Sequence, residues 1–489
     1  TADTHLTAYL RGFEHASAWD RNATGAPFVP EARFSDRQFL GSFAHGFSIG
    51  RLRATTTAEY SNYQVLPRTQ FVTPLNLTMR TFSESARTSR SYAVRLEEKV
   101  DLDFIPDVLS LSVGVAGQQV KATPFSFRRA GGVAYRRYQG PGDSPAVDEN
   151  GAVRDDNPAL YSAQVTLQSP ADIEFQTLGS YAQLLWNPTR LFHLTTGVRV
   201  DNSTRFDVSV NTRIAIVSSP FESTSLKLLH GSAYLEPTPY QVYGILMERD
   251  SLLFPNPNLI PERLQSWELV WDQRIGRHAR LVTSGFLNRV VDFINDTAWT
   301  RDYVYVQLQG LQRLRELQSA NAGRSLYYGG ETLAQLTYGP VQSTASVSWI
   351  DGSARSLNLR GVLTETEPPN VSTWMVKGGL SVEPIRGLTL DARGVFQTAP
   401  NIRFVRSDYP AATVPGASFV LDAAIRWSLD TTFSAGSFTS LPLESMTVFV
   451  TGHNLTNRRY KQPSGRPAVN PTGTPQPPLQ IMGGLEFEM

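Results

Sequence analysis

The 489-residue sequence contains no cysteine. That absence removes disulfide frameworks, thiolate metal sites and thiol nucleophiles together, and it suits a chain that crosses an oxidising periplasm without bridges. Long apolar runs are missing too: no stretch approaches the roughly 18 residues that would cross a bilayer as a helix. No signal-peptide pattern opens at Thr1. Charge of one sign is also lacking, since 45 basic and 44 acidic residues leave a formal net charge of +1 with no block of like charge. Nucleic acid and polybasic membrane binding therefore lose their electrostatic footprint. A membrane helix is excluded. A membrane barrel is not, because its strands turn only half their residues toward lipid.

What the sequence does have is alternation over segments of about ten residues, the length that crosses a bilayer at a tilt. From residue 192, Phe192, Leu194, Thr196, Val198 and Val200 oppose His193, Thr195, Gly197, Arg199 and Asp201. Phe419, Leu421, Ala423, Ile425 and Trp427 oppose Asp422, Arg426 and Ser428. Trp374, Val376, Leu380 and Val382 oppose Lys377, Ser381 and Glu383, while Leu388, Leu390, Ala392 and Phe396 oppose Thr389, Asp391, Arg393 and Gln397. Trp267, Leu269, Trp271 and Ile275 face away from Ser266, Glu268, Asp272 and Arg274. A period of two means antiparallel strands with one wet and one apolar face. Two features favour a membrane barrel over a soluble sandwich. The strands exceed the five or six residues typical of soluble sheets, and Trp186, Trp267, Trp374 and Trp427 are expected near strand ends, where an interfacial girdle lies.

Short links (187–190, 274–278, 338–340, 383–387) alternate with long ones at about 126–174, 236–264, 294–327, 351–371, 399–417 and 457–478. Short turns on one rim and long loops on the other are the asymmetry of outer-membrane barrels. The link at 430–445 falls on the short side yet is long. The expectation is an all-β transmembrane antiparallel barrel of about 18 strands, one domain over 1–489, from THLTAYLRGFEHAS to PLQIMGGLEFEM.

The order of elements over 176–489 resembles the C-terminal part of a TonB-dependent outer-membrane receptor. GSYAQLLWNPTRLFHLTTGVRVDNS is similar to that family's strand pair ending in GxRxD. SLKLLHGSAYLEPTPYQVYG resembles the strand leading to its Ala-Pro loop, with Glu236 and Pro237 at that place. NPNLIPERLQSWEL resembles its NPxLxPE element through Asn256, Pro257, Leu259, Pro261, Glu262, Trp267 and Glu268. FLNRVVDFI, YYGGETLAQLTYGP and VFVTGHNLTNRRY follow in family order, the last through Asn454, Leu455, Asn457 and Tyr460. The resemblance implies residence in the bacterial outer membrane, contact with the lipid bilayer and the TonB complex, and energised uptake of a siderophore, a cobalamin-like compound or an oligosaccharide. It also implies a plug domain and about 22 strands. No plug is expected within these residues, and THLTAYLRGFEHAS reads as about the fifth strand of the family. Two arrangements stand open: a receptor whose plug and first strands lie on another polypeptide or go unrecorded, and a plugless barrel closed on about eighteen strands. The second would serve as a scaffold for outer-membrane or periplasmic proteins, or as a passive pore.

No enzyme, cofactor or metal site is expected. The histidines, including His193, His230 and His453, are scattered singly, without helical i, i+4 metal spacing. Arg199, Glu268, Lys377, Arg393 and Arg426 are expected to line the lumen, either along a path for solute or as solvating, mutually paired charges. Ligand recognition is assigned to loops: Tyr240, Tyr243 and Arg249; Trp299, Arg301, Tyr303 and Tyr305; Arg403, Arg406 and Tyr409. Arginine beside aromatic rings suits a carboxylate, catecholate or planar ligand, and ordinary loop packing is the alternative. Leu308, Leu311, Leu314 and Leu317, spaced by three, suggest a short helix over the barrel mouth. Asp143, Asp148, Glu149, Asp155 and Asp156 offer oxygen ligands but lack EF-hand spacing, so a solvated loop is expected.

Overall fold

In a computed structural model the residues described are 2–16, 33–65, 87–127, 133–137, 146–147, 153–154, 163–165, 173–243, 246–248, 251–307, 311–357, 363–368, 370–401, 415–430, 445–462 and 474–488. Among these residues, eighteen strands of nine residues or more form the wall. The first nine are β1 (Ala2–Ala16), β2 (Arg33–Ile49), β3 (Leu52–Val65), β4 (Arg87–Ile105), β5 (Leu109–Phe127), β6 (Ile173–Thr189), β7 (Phe192–Ser203), β8 (Ser209–Phe221) and β9 (Thr224–Leu235). After a one-turn helix α1 (Pro239–Tyr243) come β10 (Glu262–Ile275), β11 (Ala279–Gln307), β12 (Leu311–Tyr338), β13 (Val341–Leu357) and β14 (Trp374–Ile385). The wall ends with β15 (Leu388–Gln397), β16 (Ser418–Asp430), β17 (Ser445–His453) and β18 (Gln480–Glu488). Each strand pairs antiparallel with the next, from β1 on β2 to β17 on β18. Among the described residues no pairing joins β1 to β18, so each leaves one backbone edge open.

The alternation sets which face is which. Leu269, Val376, Leu380, Phe396, Phe419 and Ile425 are exposed although they lie within regular, fully paired strands, because the outer face of the wall meets lipid rather than a second layer. Trp186 and Trp427 lie near one end of β6 and β16, and Trp374 opens β14. Trp267 departs from the girdle expectation. It is mid-strand in β10 and stacks on outward His230 of β9, ring centroids 4.1 Å apart.

Tight turns at 50–51, 106–108, 190–191, 222–223, 276–278, 339–340 and 386–387 make one rim. Gly50, Gly276, Gly339 and Gly387 supply the positive φ that four of them need. The awkward 430–445 link has residues 431–444 outside the described residues.

The opposite rim differs from expectation in one place. The segment 294–327 is not an irregular loop with a helix: β11 and β12, 29 and 28 residues long, continue far beyond bilayer thickness as one hairpin. Leu311, Leu314 and Leu317 are strand residues opposite Gln307, Val304 and Ala298, and Leu308 lies outside the described residues. An isolated helix of this length is marginal in water, whereas the projecting β11 offers backbone partners on either side of an irregularity between Ala298 and Tyr303. Other loops dock on this hairpin. Val133–Arg137 pairs with 304–307, and Ser251–Phe254 runs parallel to 315–318.

Aromatic rings lie over glycines on the facing strand: Tyr181 over Gly114, Phe286 over Gly329 and Phe449 over Gly484 are directly opposed pairs. A Cβ at Gly329 would also overlap the backbone carbonyl of Trp349, which cannot swing away. Gly329→Ala is therefore expected to destabilise the wall by about 1–3 kcal/mol. Gly117→Ala, with open space around its Cβ, should stay within about 0.5 kcal/mol. Urea unfolding in lipid, followed by heat-modifiable gel mobility, checks the pair.

Candidate functional site

The inward positions of β4 run Arg95, Glu97, Lys99, Asp101, alternating in sign at a two-residue spacing. Neighbours along one strand face thus become partners. Arg95 donates to Glu97 at 2.5 Å and Lys99 to Asp101 at 3.0 Å. The network crosses to the next strands. The Tyr181 hydroxyl donates to Glu97 at 2.8 Å, and Ser112 donates to Asp101. On β7, Arg199 grips buried Asp201 through Nε and Nη2 at 2.7–2.9 Å, with its guanidinium 5.9 Å from the Tyr181 ring centroid. Gly114 and Gly179 are required here, since Cβ atoms would collide with Tyr181 and with the Arg199–Asp201 pair. β4 to β7 therefore present a lumen face on which these six charges are mutually satisfied.

Above it, the chain leaves β7 and turns Arg205 inward over the rim. Its side chain is only 5% exposed. Nη2 donates to the Pro237 carbonyl at 2.8 Å, and Glu236 lies 4.0 Å from Nη1. The rings of Phe206, Phe175 and Tyr243 surround the guanidinium at 4.6, 4.8 and 6.0 Å. Phe206 and Tyr243 continue into an apolar cluster with Val242, Leu259 and Ile294. Burial pulls the Arg205 guanidinium below its usual pKa against the attraction of Glu236 and Tyr243. Burial pushes the Glu236 carboxyl up, with Arg205 opposing and Asp201 reinforcing.

Local sequence explains why α1 sits there. Thr238 and Gln241 form a reciprocal capping box, Thr238 N to Gln241 Oε1 at 2.8 Å and Gln241 N to Thr238 Oγ1 at 3.4 Å, with Pro239 at the first helical position. The NPNLIPE stretch then stitches the rim. Asn256 Nδ2 donates to the Ser319 carbonyl, Leu259 is buried, and Glu262 Oε1 accepts from Ile294 N at 2.8 Å. Asn321 of β12 completes the seam by donating to the Ile260 and Asp292 carbonyls. In the last motif, Asn454 and Asn457 adopt left-handed backbone, which asparagine tolerates better than most residues. The Asn454 amide donates to the Arg458 and Pro477 carbonyls.

Of the residues expected to line the lumen, Arg199 belongs to the paired network just described. Lys377, Arg393 and Arg426 occupy inward positions on β14, β15 and β16 and are exposed. Glu268 sits on the inward side of β10 between Leu229 and Phe286. Among the loop candidates, Tyr243 joins the Arg205 clamp. Tyr240 lies on α1, and Trp299, Arg301, Tyr303 and Tyr305 on β11, but their side chains are outside the described residues. Arg249, Arg403, Arg406 and Tyr409 are outside them altogether, as are Asp143, Asp148, Glu149, Asp155 and Asp156. Among the described residues no group of three potential metal ligands occurs. Sequence reasoning missed Arg205 and the β4 charges. The spacing of RLEEKVD carried the signal for β4, whereas nothing in STRFD singles out Arg205 from other rim arginines.

Arg205→Ala is expected to loosen 236–243 by about 2–4 kcal/mol, from a lost buried charge-assisted hydrogen bond and its ring contacts. Amide exchange of those residues reads it. Because the Glu236 pKa is raised on folding, its contribution is fully present below the ordinary carboxylate range and is lost as pH rises through the raised value. Intrinsic-rate-corrected exchange of 236–243 should thus slow on acidification, and Glu236→Gln should remove that dependence.

Comparisons with known proteins agree with this architecture. A family model described as TonB dependent receptor-like, beta-barrel matches residues 4–455. No curated protein matches the sequence. Among solved structures, the siderophore receptor PirA from Acinetobacter baumannii is 14% identical with a TM-score of 0.62, covering 93% of this chain and 62% of its own. The siderophore receptor PiuA from Acinetobacter baumannii is 13% identical with a TM-score of 0.56, covering 99% and 72%. The copper transporter OprC is 13% identical with a TM-score of 0.56, covering 93% and 65%. The chain thus spans less than two thirds of the length of PirA and OprC.

Proposed function

Because this chain belongs to the TonB dependent receptor-like β-barrel family, we propose that it is the wall of an outer-membrane receptor that imports a scarce ligand with energy delivered through TonB. The observation that carries the reading is the pairing of an apolar outer face with a charged inner face beneath a braced rim. A pore for bulk solutes needs no such bracing, whereas a receptor must hold its loops in register to recognise cargo at low concentration. Structural similarity at this identity speaks for the fold, so the cargo class rests on chemistry. Exposed Lys377, Arg393 and Arg426 in the lumen, with the arginines and aromatics of the rim loops, suit an anionic metal chelate. Tyr240, Tyr243, Arg249, Trp299, Arg301, Tyr303, Arg403, Arg406 and Tyr409 are the proposed first contacts.

On this reading the open edges of β1 and β18 are closed by further strands, because unpaired backbone groups in hydrocarbon cost several kcal/mol each. A plug, on the same or a separate polypeptide, would then occupy the lumen. Uptake of labelled ferric chelates by cells with and without the intact protein tests the proposal. Uptake of at least one chelate should fall about tenfold on deletion and equally on collapse of the proton-motive force. Uptake indifferent to that force, or liposomes holding the intact protein that swell freely in small sugars, would overturn it.

A further inference from the structure

The outer face of the first four strands carries one polar row inside an otherwise apolar band. Thr4 of β1 faces His45 of β2, His45 faces Thr56 of β3, and Thr56 faces Glu98 of β4. All four belong to the outward set, with Leu6, Phe43, Phe47, Leu96 and Val94, which are exposed. The side chains bond in two pairs: Thr4 Oγ1 to His45 Nδ1 at 2.9 Å, and Thr56 Oγ1 to Glu98 Oε2 at 2.5 Å. Glu98 does not sit at an interface. On its own strand it has Val100, Leu102 and Phe104 on one side and Leu96 and Val94 on the other. A carboxylate facing hydrocarbon at that depth is costly, and one threonine hydroxyl does not neutralise it.

We propose that this row is a self-complementary interface through which two copies of the protein pair side by side in the membrane. The argument is one of symmetry and charge. Thr56 stands midway between His45 and Glu98, one strand from each. A two-fold axis along the membrane normal through Thr56 places His45 of each copy opposite Glu98 of the other, an isologous arrangement that makes the same histidine–carboxyl hydrogen bond twice. The dimensions allow it. Adjacent strands lie about 4.8 Å apart, so His45 and Glu98 are separated by about 10 Å along the row. With strands tilted by about 40°, the two then differ in height by about 6 Å. Facing sheets pack about 10 Å apart, and the combined reach of a histidine and a glutamate spans that diagonal. Beside Thr56 on β3 stand Ala54 and Ala58, flanked by Phe47 and Phe43 on β2. Ala54 is covered by its neighbours and Ala58 adds little bulk, so the phenylalanines set how closely two walls approach.

The chain has no cysteine, so a single introduced thiol reports on the contact. Thr56→Cys in the intact protein, treated in native outer membranes with a short bismaleimide that spans the roughly 10 Å between facing sheets, should give a crosslinked species of twice the mass. Val347→Cys, on the outer face of β13, should give none. His45→Glu or Glu98→His in the Thr56→Cys background should each lower the yield about tenfold, and the double swap His45→Glu with Glu98→His should restore it. Heat-modifiable mobility confirms that each variant is folded. A folded Thr56→Cys that stays monomeric, single swaps that link as well as the parent, or linkage to a protein of different mass would each overturn the proposal.

Discussion

Backbone hydrogen bonding in the absence of water governs this molecule. A peptide group facing hydrocarbon has no solvent to turn to, so each N–H and C=O across the bilayer must be met by the neighbouring strand. Long strands, unbroken antiparallel ladders and the confinement of irregular backbone to the rims follow from that requirement. So does the chemistry of the tight rim, where Gly50, Gly276, Gly339 and Gly387 reverse the chain in two or three residues without leaving the ladder unpaired. The projecting β11–β12 hairpin obeys the same logic in water, where it is free to stop pairing but continues, and gathers other loops as extra strands.

A ladder fixes the backbone and leaves side chains a simple choice of face. That choice makes strand-to-strand chemistry local: Arg95 meets Glu97 two residues away, and Tyr181 meets Glu97 through the strand between them. Bulky inward rings need room on the facing strand, and glycine supplies it. Tyr181, Phe286 and Phe449 each lie over one, so these glycines serve close approach rather than unusual backbone. At the rim the ladder ends and other devices replace it, a capped turn of helix, asparagine stitches and a guanidinium boxed by three rings.

These facts decide what could be read in advance. Alternation is a property of one strand, so the faces of residues 192–201, 374–383 and 419–428 were legible from the sequence, and so was the count of about eighteen strands. The motifs of resemblance were legible as well, though their physical meaning was not. Asn256, Glu262 and Asn454 turn out to hold rim segments together. Properties that depend on distant segments meeting were hidden. Leu311, Leu314 and Leu317 carry a helical spacing, yet a partner strand decides their conformation. Arg205 gains its importance from Phe175 and Pro237, about thirty residues away on either side, and the register of β9 on β10 sets Trp267 opposite His230, on which its ring stacks.

The lumen is consequently not uniform around its circumference. Across β4 to β7 a run of charges is spent on neighbours: Glu97 on Arg95 and Tyr181, Asp201 on Arg199, Asp101 on Lys99 and Ser112. Such a surface is stiff, and it offers little net field to a passing solute. Across β14 to β16 the cations Lys377, Arg393 and Arg426 are exposed, while half-buried Asp422 accepts from the Asn454 backbone at 2.8 Å. Exposed cations remain hydrated and free to exchange water for a ligand, which paired ones can do only by giving up a neighbour. On the receptor reading, an anionic solute would track along β14 to β16, and the β4 to β7 side would act as the rigid wall against which a filling domain bears.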